Sequence, residues 1–509
     1  FKNQTQQNYS NSNMEKFDVA ICGYGPVGAT LSLLLAKYNY KVLIIEKNQG
    51  PCKTARAINT DGEQLRIFDQ FNIAERVIAN SNQIEKVHFS NKDLEPIQTI
   101  IASLDDTEMG WPNQVLFYQP ELETFLREKI ETFQNIEIKE SCELVDFKNT
   151  NDGVDLFINE KNQSVKLKSK LLFGCDGASS FIRKKLNVNL EDLGYNQKWL
   201  VCDAHLTKDI GLKNELVQVC DPSRPGTFLH GRRGHLRFEF RVMPDDDEDN
   251  IKKETYVWKL LSPWINKDNA ILERAAIYTF HACIAERWNE NNVFIAGDAA
   301  HQMPPFMGAG MGTGIRDVSN LAWKVDLFFK NKCTKDIFKT YQNERYLHAK
   351  WTVAQTKSIG EMIEGFCAAE EGKKYTPEGP SYEAKFPHIP EGVFGDTSDM
   401  ITGCPIPQPI LNRETKLIKL DRIIASKFSI ISNKNLPSLS SKAKRIFKHL
   451  SIHFEKITSN DDKENRLKNI FDIYDFVLVR PDLYVYGGCD LENISNVIES
   501  LEDKFFLKL

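Results

Sequence analysis

The apolar positions of this chain change their period several times, and each change marks an element. Phe17, Val19, Ala20 and Ile21 form a short, nearly continuous apolar run, the pattern of a strand buried on both faces. Val27, Leu31, Leu34 and Leu35 then recur at helical spacing, and KVLIIE (41–46) is a second buried strand ending on an acid. Residues 167–186 read as a strand that runs through Asp176-Gly177 into a helix carrying Arg183 and Lys184. Val293–Ala296 is a further buried strand; Ile315, Val318, Leu321, Val325 and Phe328 set out the core-facing stripe of a helix beyond it. HLRFEFRV (235–242) alternates apolar with charged residues, which predicts an antiparallel strand with Arg237, Glu239 and Arg241 on a solvated side. From about 396, FSIIS, SIHFEKI, DFVLVRP and LYVYGG read as strands around helices at 439–449 and 491–505. Strands interleaved with helices, plus a separate alternating sheet, give an α/β (α+β) fold class.

Between the first strand and the first helix, Gly23, Gly25 and Gly28 stand in G-x-G-x-x-G spacing, with Glu46 at the next strand end 18 residues on. Each part has a chemical reason. Gly23 permits the tight turn, Gly25 a close backbone approach to a pyrophosphate, and Gly28 close helix–strand packing, while Glu46 can accept from ribose hydroxyls. This is an adenine-dinucleotide site, with NAD and FAD both open at this point. Asp176-Gly177 is weaker evidence, since a strand-to-helix turn with an Asp cap fits it equally well. The later stretch is more specific. Gly297-Asp298 ends a strand, Pro304-Pro305 turns, and glycines at 308, 310, 312 and 314 lead into a helix N-terminus, an anion-favouring arrangement.

Composition narrows the class. With 509 residues the chain is long enough for two or three domains, and 41% hydrophobic, 27% charged residues and a net charge of −5 are ordinary for a globular protein. No basic stripe with interleaved aromatics suggests nucleic-acid binding. No apolar run approaches the roughly 20 residues of a membrane-spanning helix. Eleven scattered cysteines without a C-x-x-C pair point to reduced thiols in a cytoplasmic setting, with no metal site. The polar residues 1–13 read as a disordered tail lacking the apolar core of a secretory signal, with Met14 as a natural start.

The three glycine sites in this order resemble the FAD-dependent aromatic hydroxylases, the single-component flavoprotein monooxygenases of the p-hydroxybenzoate hydroxylase fold. Further segments are similar to the 3-(3-hydroxyphenyl)propionate hydroxylase branch: ARAINTDGEQLRIF, GWPNQVLFYQP, VCDPSRP, RFEFRVMP, GIRDVSNLAWK and LVRPDLYV, in matching order. The resemblance implies a discontinuous, Rossmann-like FAD-binding domain over 14–395. A substrate sheet is inserted at approximately 86–109 and 191–279, and a thioredoxin-like domain occupies 396–509.

It implies FAD as cofactor and NADH or NADPH with O2 as co-substrates. A phenolic or related aromatic compound would be hydroxylated through a flavin C4a-hydroperoxide. Carried over by position, Gly23, Gly25, Gly28 and Glu46 hold the adenosine end, and Arg56 and Gln119 contact FAD. Asp176 and Gly177, with Arg183 beside them, serve both nucleotides; Gly297 and Asp298 serve the ribityl–pyrophosphate region. Gly310, Gly312 and Thr313 face the flavin. One departure stands out: relatives commonly carry Asn in a G-x-N-[ST]-G loop where this chain has Gly312. Two other functions stay open on the residues: oxidation of a polyketide or antibiotic such as a tetracycline, and FAD binding without turnover, which the Gly312 departure favours.

Other residues give less. Arg232 and Arg233 in the GRRG turn suit a carboxylate or nucleotide site as well as a plain basic turn. Asp61 reads as helix-start chemistry, with capping-box spacing from Thr60 to Glu63. No catalytic base is nominated. The C-terminal domain, lacking C-x-x-C, is expected to stabilise the structure or a homodimer.

Overall fold

A computed structural model describes residues 15–101, 108–232, 234–374, 376, 389, 391–396, 399, 401–413 and 416–509. The tail 1–13, Met14, Arg233 and part of the segment 86–109 lie outside the described residues. The chain divides into two compact units: residues 1–53, 120–191 and 284–302, and residues 54–119, 192–283 and 303–509.

The first unit is built on a sheet whose central strands are parallel. Its order is Val293–Ile295, Gln163–Gly174, Lys16–Cys22, Val42–Ile45 and Ile136–Lys139. Parallel strands covered on both sides need apolar residues at successive positions, and Val42–Ile45 is buried throughout. An antiparallel pair, Cys142–Thr150 and Gly153–Glu160, extends the sheet from Gln163–Gly174. The helix Pro26–Lys37 follows the first strand. Pro26 sits at its start, where a missing N–H costs nothing, and Gly25 is its extended N-cap without a side-chain cap bond.

The second unit carries a largely antiparallel sheet. It runs Ala270–Ala285, Leu190–Leu206, His235–Arg241, Gly226–His230, Glu215–Val219, Lys86–Ser90 and Pro96–Ile101; from Leu190–Leu206 onward the neighbours are antiparallel except Glu215–Val219 with Lys86–Ser90, which are parallel. The expected strand at 235–242 is present, but its charged side is not solvated: Arg237 is 3% and Glu239 6% exposed. A carboxylate on the neighbouring strand pairs with the arginine, so the polar side is covered and neutralised.

The 20-residue helix Gly310–Phe329 and the 32-residue helix Lys339–Glu370 belong to this unit. So does a four-stranded sheet ordered His453–Lys456, Ser429–Ser432, Phe476–Val479 and Val485–Cys489, flanked by Ser441–Leu450 and Ile494–Lys504.

A buried ion cluster ties these parts of the second unit together. Glu344 accepts from Arg480 Nη2 at 3.0 Å and from Val393 N at 2.9 Å, with Lys324 Nζ at 3.2 Å. Burial alone would raise the Glu344 pKa, but the Arg480 and Lys324 charges prevail and hold it at about 2. Burial pushes Lys324 down to about 8 against the opposing pull of Glu344. Because Glu344 titrates below its ordinary value of 4.5 when folded, it contributes stability above that value and loses it as pH falls toward 2. Thermal unfolding between pH 5 and pH 2 should therefore show a steeper loss of Tm in the parent than in Glu344→Gln; equal slopes would refute this.

Candidate active site

The first unit presents a dinucleotide-type loop. Glu46 Oε2 accepts from Tyr24 N at 2.9 Å and Oε1 from Asn48 N at 2.8 Å, which fixes the carboxylate at the strand end beside the loop. A Cβ on Gly25 would meet nothing within 4 Å, whereas one on Gly28 would lie 2.1 Å from Gly23 O. The loop thus packs tightly on its protein side and stands open at Gly25. The first backbone N–H groups of the helix have no side-chain cap, so the site fits a pyrophosphate.

Asp176 spends its carboxylate locally: Oδ1 accepts from Ser180 Oγ at 2.6 Å and Oδ2 from Ile182 N at 3.1 Å, at the start of the short helix Phe181–Lys185. Gly177 adopts φ +78° beside it. Arg183 does not behave as a nucleotide-directed cation. It is 5% exposed and donates to Ala299 O at 3.0 Å and Ala178 O at 2.8 Å. Its charge is engaged by main-chain carbonyls because the helix folds back against the 297–299 turn. In that turn Gly297 is buried and Asp298 is exposed, where its carboxylate can meet a ligand.

In the second unit, Gln119 is 6% exposed and its Oε1 accepts from both Arg56 N at 2.8 Å and Ala57 N at 2.7 Å. It therefore shapes the loop that carries the exposed Arg56 side chain. The same loop is held from the sheet. Asp203, fully buried, takes Arg237 Nε at 2.9 Å and Arg274 Nε at 2.9 Å. Those guanidinium groups also donate to Arg56 O at 2.8 Å and Ala55 O at 2.8 Å. Burial opposes ionisation of Asp203, but the Arg237 charge and its hydrogen bonds, with His235 Nε2 3.4 Å away, hold its pKa far below the usual range.

Beside this network lies a cluster that sequence reasoning missed. Glu273 accepts from Tyr118 Oη at 2.9 Å and meets His205 Nε2 at 2.7 Å. His205 faces His235 across the strand pair, and Arg232 lies over the Tyr118 ring at 5.2 Å. The available signal was the register: an Asp-x-His on one strand opposite a His-x-Arg on another.

The glycine loop starts the helix Gly310–Phe329. Thr313 is fully buried, and its Oγ1 donates to Ala309 O at 2.9 Å. Arg316, one turn on, bonds Asp61 Oδ2 at 2.7 Å and Glu63 Oε2 at 2.5 Å, which brings the helix Gly62–Asp69 against the loop. The capping box there is one residue later than the spacing suggested: Asp61 is the N-cap and Gln64 its partner.

Comparison with known proteins agrees with this geometry. Residues 16–356 match the FAD binding domain family, and residues 403–504 the HcaD C-terminal domain. The chain is 30% identical over 427 residues to a probable NADH-specific resorcinol 4-hydroxylase of Rhodococcus jostii, covering 82% of this chain and 79% of the relative. It is 34% identical over 349 residues to a 3-(3-hydroxy-phenyl)propionate/3-hydroxycinnamic acid hydroxylase of Escherichia coli, covering 68% of this chain and 62%, less than two thirds, of that relative.

Among solved structures it is similar to aklavinone-11 hydroxylase with FAD and aklavinone (TM-score 0.79, 18% identity, 97% and 100% of the two chains). It is also similar to the flavin-dependent monooxygenase PieE with FAD and substrate (TM-score 0.81, 18% identity, 96% and 99%). At that identity these two support the fold. An uncapped helix start behind a G-x-G-x-x-G turn, a strand-end acid and a whole-domain family match converge, and the chain belongs to the FAD-dependent aromatic hydroxylases, monooxygenases with FAD as cofactor.

Proposed function

We propose that this chain hydroxylates a phenol bearing a second substituent meta to its hydroxyl, using NADH as reductant. The observation that carries this is chemical. The names of both curated relatives describe such rings: resorcinol with a second hydroxyl, and 3-(3-hydroxyphenyl)propionate with a carboxylate chain. Each turnover consumes one O2, one NADH and one proton, and yields the hydroxylated ring, NAD+ and water. Bound FAD supplies the oxygen chemistry.

The protein's share is binding and orientation. In the first unit Gly23, Gly25 and Gly28 receive the pyrophosphate at the helix start and Glu46 the ribose. Asp176, Gly177, Gly297 and Asp298 complete that half. In the second unit Arg56, placed by Gln119, and the helix start at Gly310, Gly312 and Thr313 serve the flavin, with N–H dipoles favouring negative charge there.

The test is NADH and NADPH oxidation across meta- and para-substituted phenols, with product mass. Oxidation unaffected by any phenol, or equal for the para isomers, would sink this reading. Asp298→Ala should weaken FAD binding by about 1.5–3 kcal/mol, the worth of a hydrogen bond to a charged group. Unchanged FAD affinity would remove Asp298 from the site.

The domain limits expected from the resemblance, with 396–509 as a thioredoxin-like, structural domain supporting a homodimer, are part of this proposal. So is a cytoplasmic setting, which suits eleven free thiols. Among the described residues, no helix is long and apolar enough to cross a membrane.

A further inference from the structure

Gly312, where the family resemblance implies an Asn, is not bordered by empty space. A Cβ there would lie 2.6 Å from Gln64 Nε2, 2.8 Å from its Cδ and 2.9 Å from its Oε1. An amide side chain from another helix occupies the place. Gln64 is 1% exposed, and its orientation is determined. Oε1 accepts from Asp61 N at 3.0 Å and Thr60 Oγ1 at 3.1 Å, so turning the amide over would set its NH2 against the Asp61 N–H. Nε2 is then left buried without a partner. An unpaired buried donor is unfavourable, so a ligand that completes it gains by binding.

A second amide mirrors the first. A Cβ on Gly308 would lie 2.6 Å from Asn59 Cβ. Asn59 Nδ2 donates to Met307 O at 3.4 Å, while its Oδ1 is buried and unpartnered. Two glycines of one loop are thus each backed by an amide side chain, one offering a spare donor and the other a spare acceptor. Both stand at the start of Gly310–Phe329, whose N-cap, Ala309, has no side-chain cap bond.

We propose that Gln64 Nε2 and Asn59 Oδ1 bind the pyrimidine edge of FAD, where carbonyl oxygens flank an N–H. Gln64 donates to a carbonyl oxygen and Asn59 accepts from the N–H. Gln64 thereby supplies, from a neighbouring helix, the amide missing at position 312. This rests on the assignment of the glycine loop to the flavin.

The test uses the full chain stripped of flavin and titrated with FAD, together with apoprotein Tm and the flavin midpoint potential. Gln64→Glu keeps an acceptor for the Asp61 N–H and, when ionised, has no donor; apoprotein Tm at the pH of the titration reports what burying the carboxylate costs. FAD should bind about tenfold more weakly or worse, with a shifted potential. Gln64→Ala should also bind weakly, and Gln64→Ala combined with Gly312→Asn should recover most of the loss by returning the amide from the loop side.

Parent affinity and potential in Gln64→Glu, or no recovery in the double variant, overturns the proposal. If Gln64→Glu does not fold, the comparison of Gln64→Ala with the double variant decides alone. A parent that takes up no FAD overturns the cofactor assignment and this inference together. A parent that binds FAD normally beside an unaffected Gln64→Glu overturns only this inference.

Discussion

Gly28→Ala should abolish retention of FAD and destabilise the first unit, whereas Gly25→Ala should abolish retention alone. The two glycines are three residues apart and face different surroundings. A Cβ on Gly28 would sit 2.1 Å from Gly23 O and 3.2 Å from Ile21 Cγ2, a contact with main chain that no rotamer can relieve. Overpacking of this kind typically costs about 1–3 kcal/mol, and its relief would move the turn that carries Gly23. Gly23 has little freedom to move. It lies at φ +103°, and a Cβ of its own would be 2.3 Å from Cys175 O. At Gly25 the protein offers no clash, so a methyl leaves Tm unchanged and occupies only the space a phosphate would take. Flavin absorbance of the purified variants and apoprotein thermal unfolding separate these outcomes. A Gly28→Ala protein with parent Tm and full flavin would show that the packing argument is wrong.

The second large effect is expected at Asp203. Its carboxylate is fully buried between two guanidinium groups, and Asp203→Ala leaves Arg237 buried and Arg274 largely so, both without their countercharge. Breaking a buried pair from one side typically costs about 3–5 kcal/mol, because the remaining charge is uncompensated. FAD affinity should fall as well. Both arginines donate to the main chain at Ala55 and Arg56, so the loop that presents Arg56 would lose its support. Urea denaturation should show a lower midpoint, and FAD titration a weaker Kd. Arg274→Ala is the control: Arg237 keeps its bonds to Asp203, so the loss should be smaller. An Asp203→Ala midpoint equal to the parent's would refute the pairing argument.

Much of this molecule could be read before its structure was known, for an identifiable reason. Buried parallel strands demand continuous apolar runs, and a turn that admits a phosphate demands glycine where a Cβ would touch main chain. Both demands act within a few residues of sequence. The strands Lys16–Cys22 and Val42–Ile45, the helix Pro26–Lys37 between them, and the glycine-led helix Gly310–Phe329 therefore appear where periodicity and spacing place them.

What periodicity could not supply was the partner of each polar side chain, because those partners are remote in sequence. HLRFEFRV alternates like a solvated strand, yet Asp203 lies opposite Arg237 and the 55–56 loop accepts its remaining N–H groups. Arg183 looks like a cation available to a nucleotide, yet Ala299 and Ala178 carbonyls engage it. Gly312 looks like a lost side chain, yet Gln64, 248 positions earlier, fills the space. The sequence by itself determined the class of fold, the glycine turns and an adenine-dinucleotide site, since backbone geometry and phosphate approach constrain residues locally; FAD came from the family resemblance. Only the tertiary structure decided which charges are buried, which amides remain unpaired and which loop each of them holds, because burial and pairing are set by segments that meet only when the chain folds.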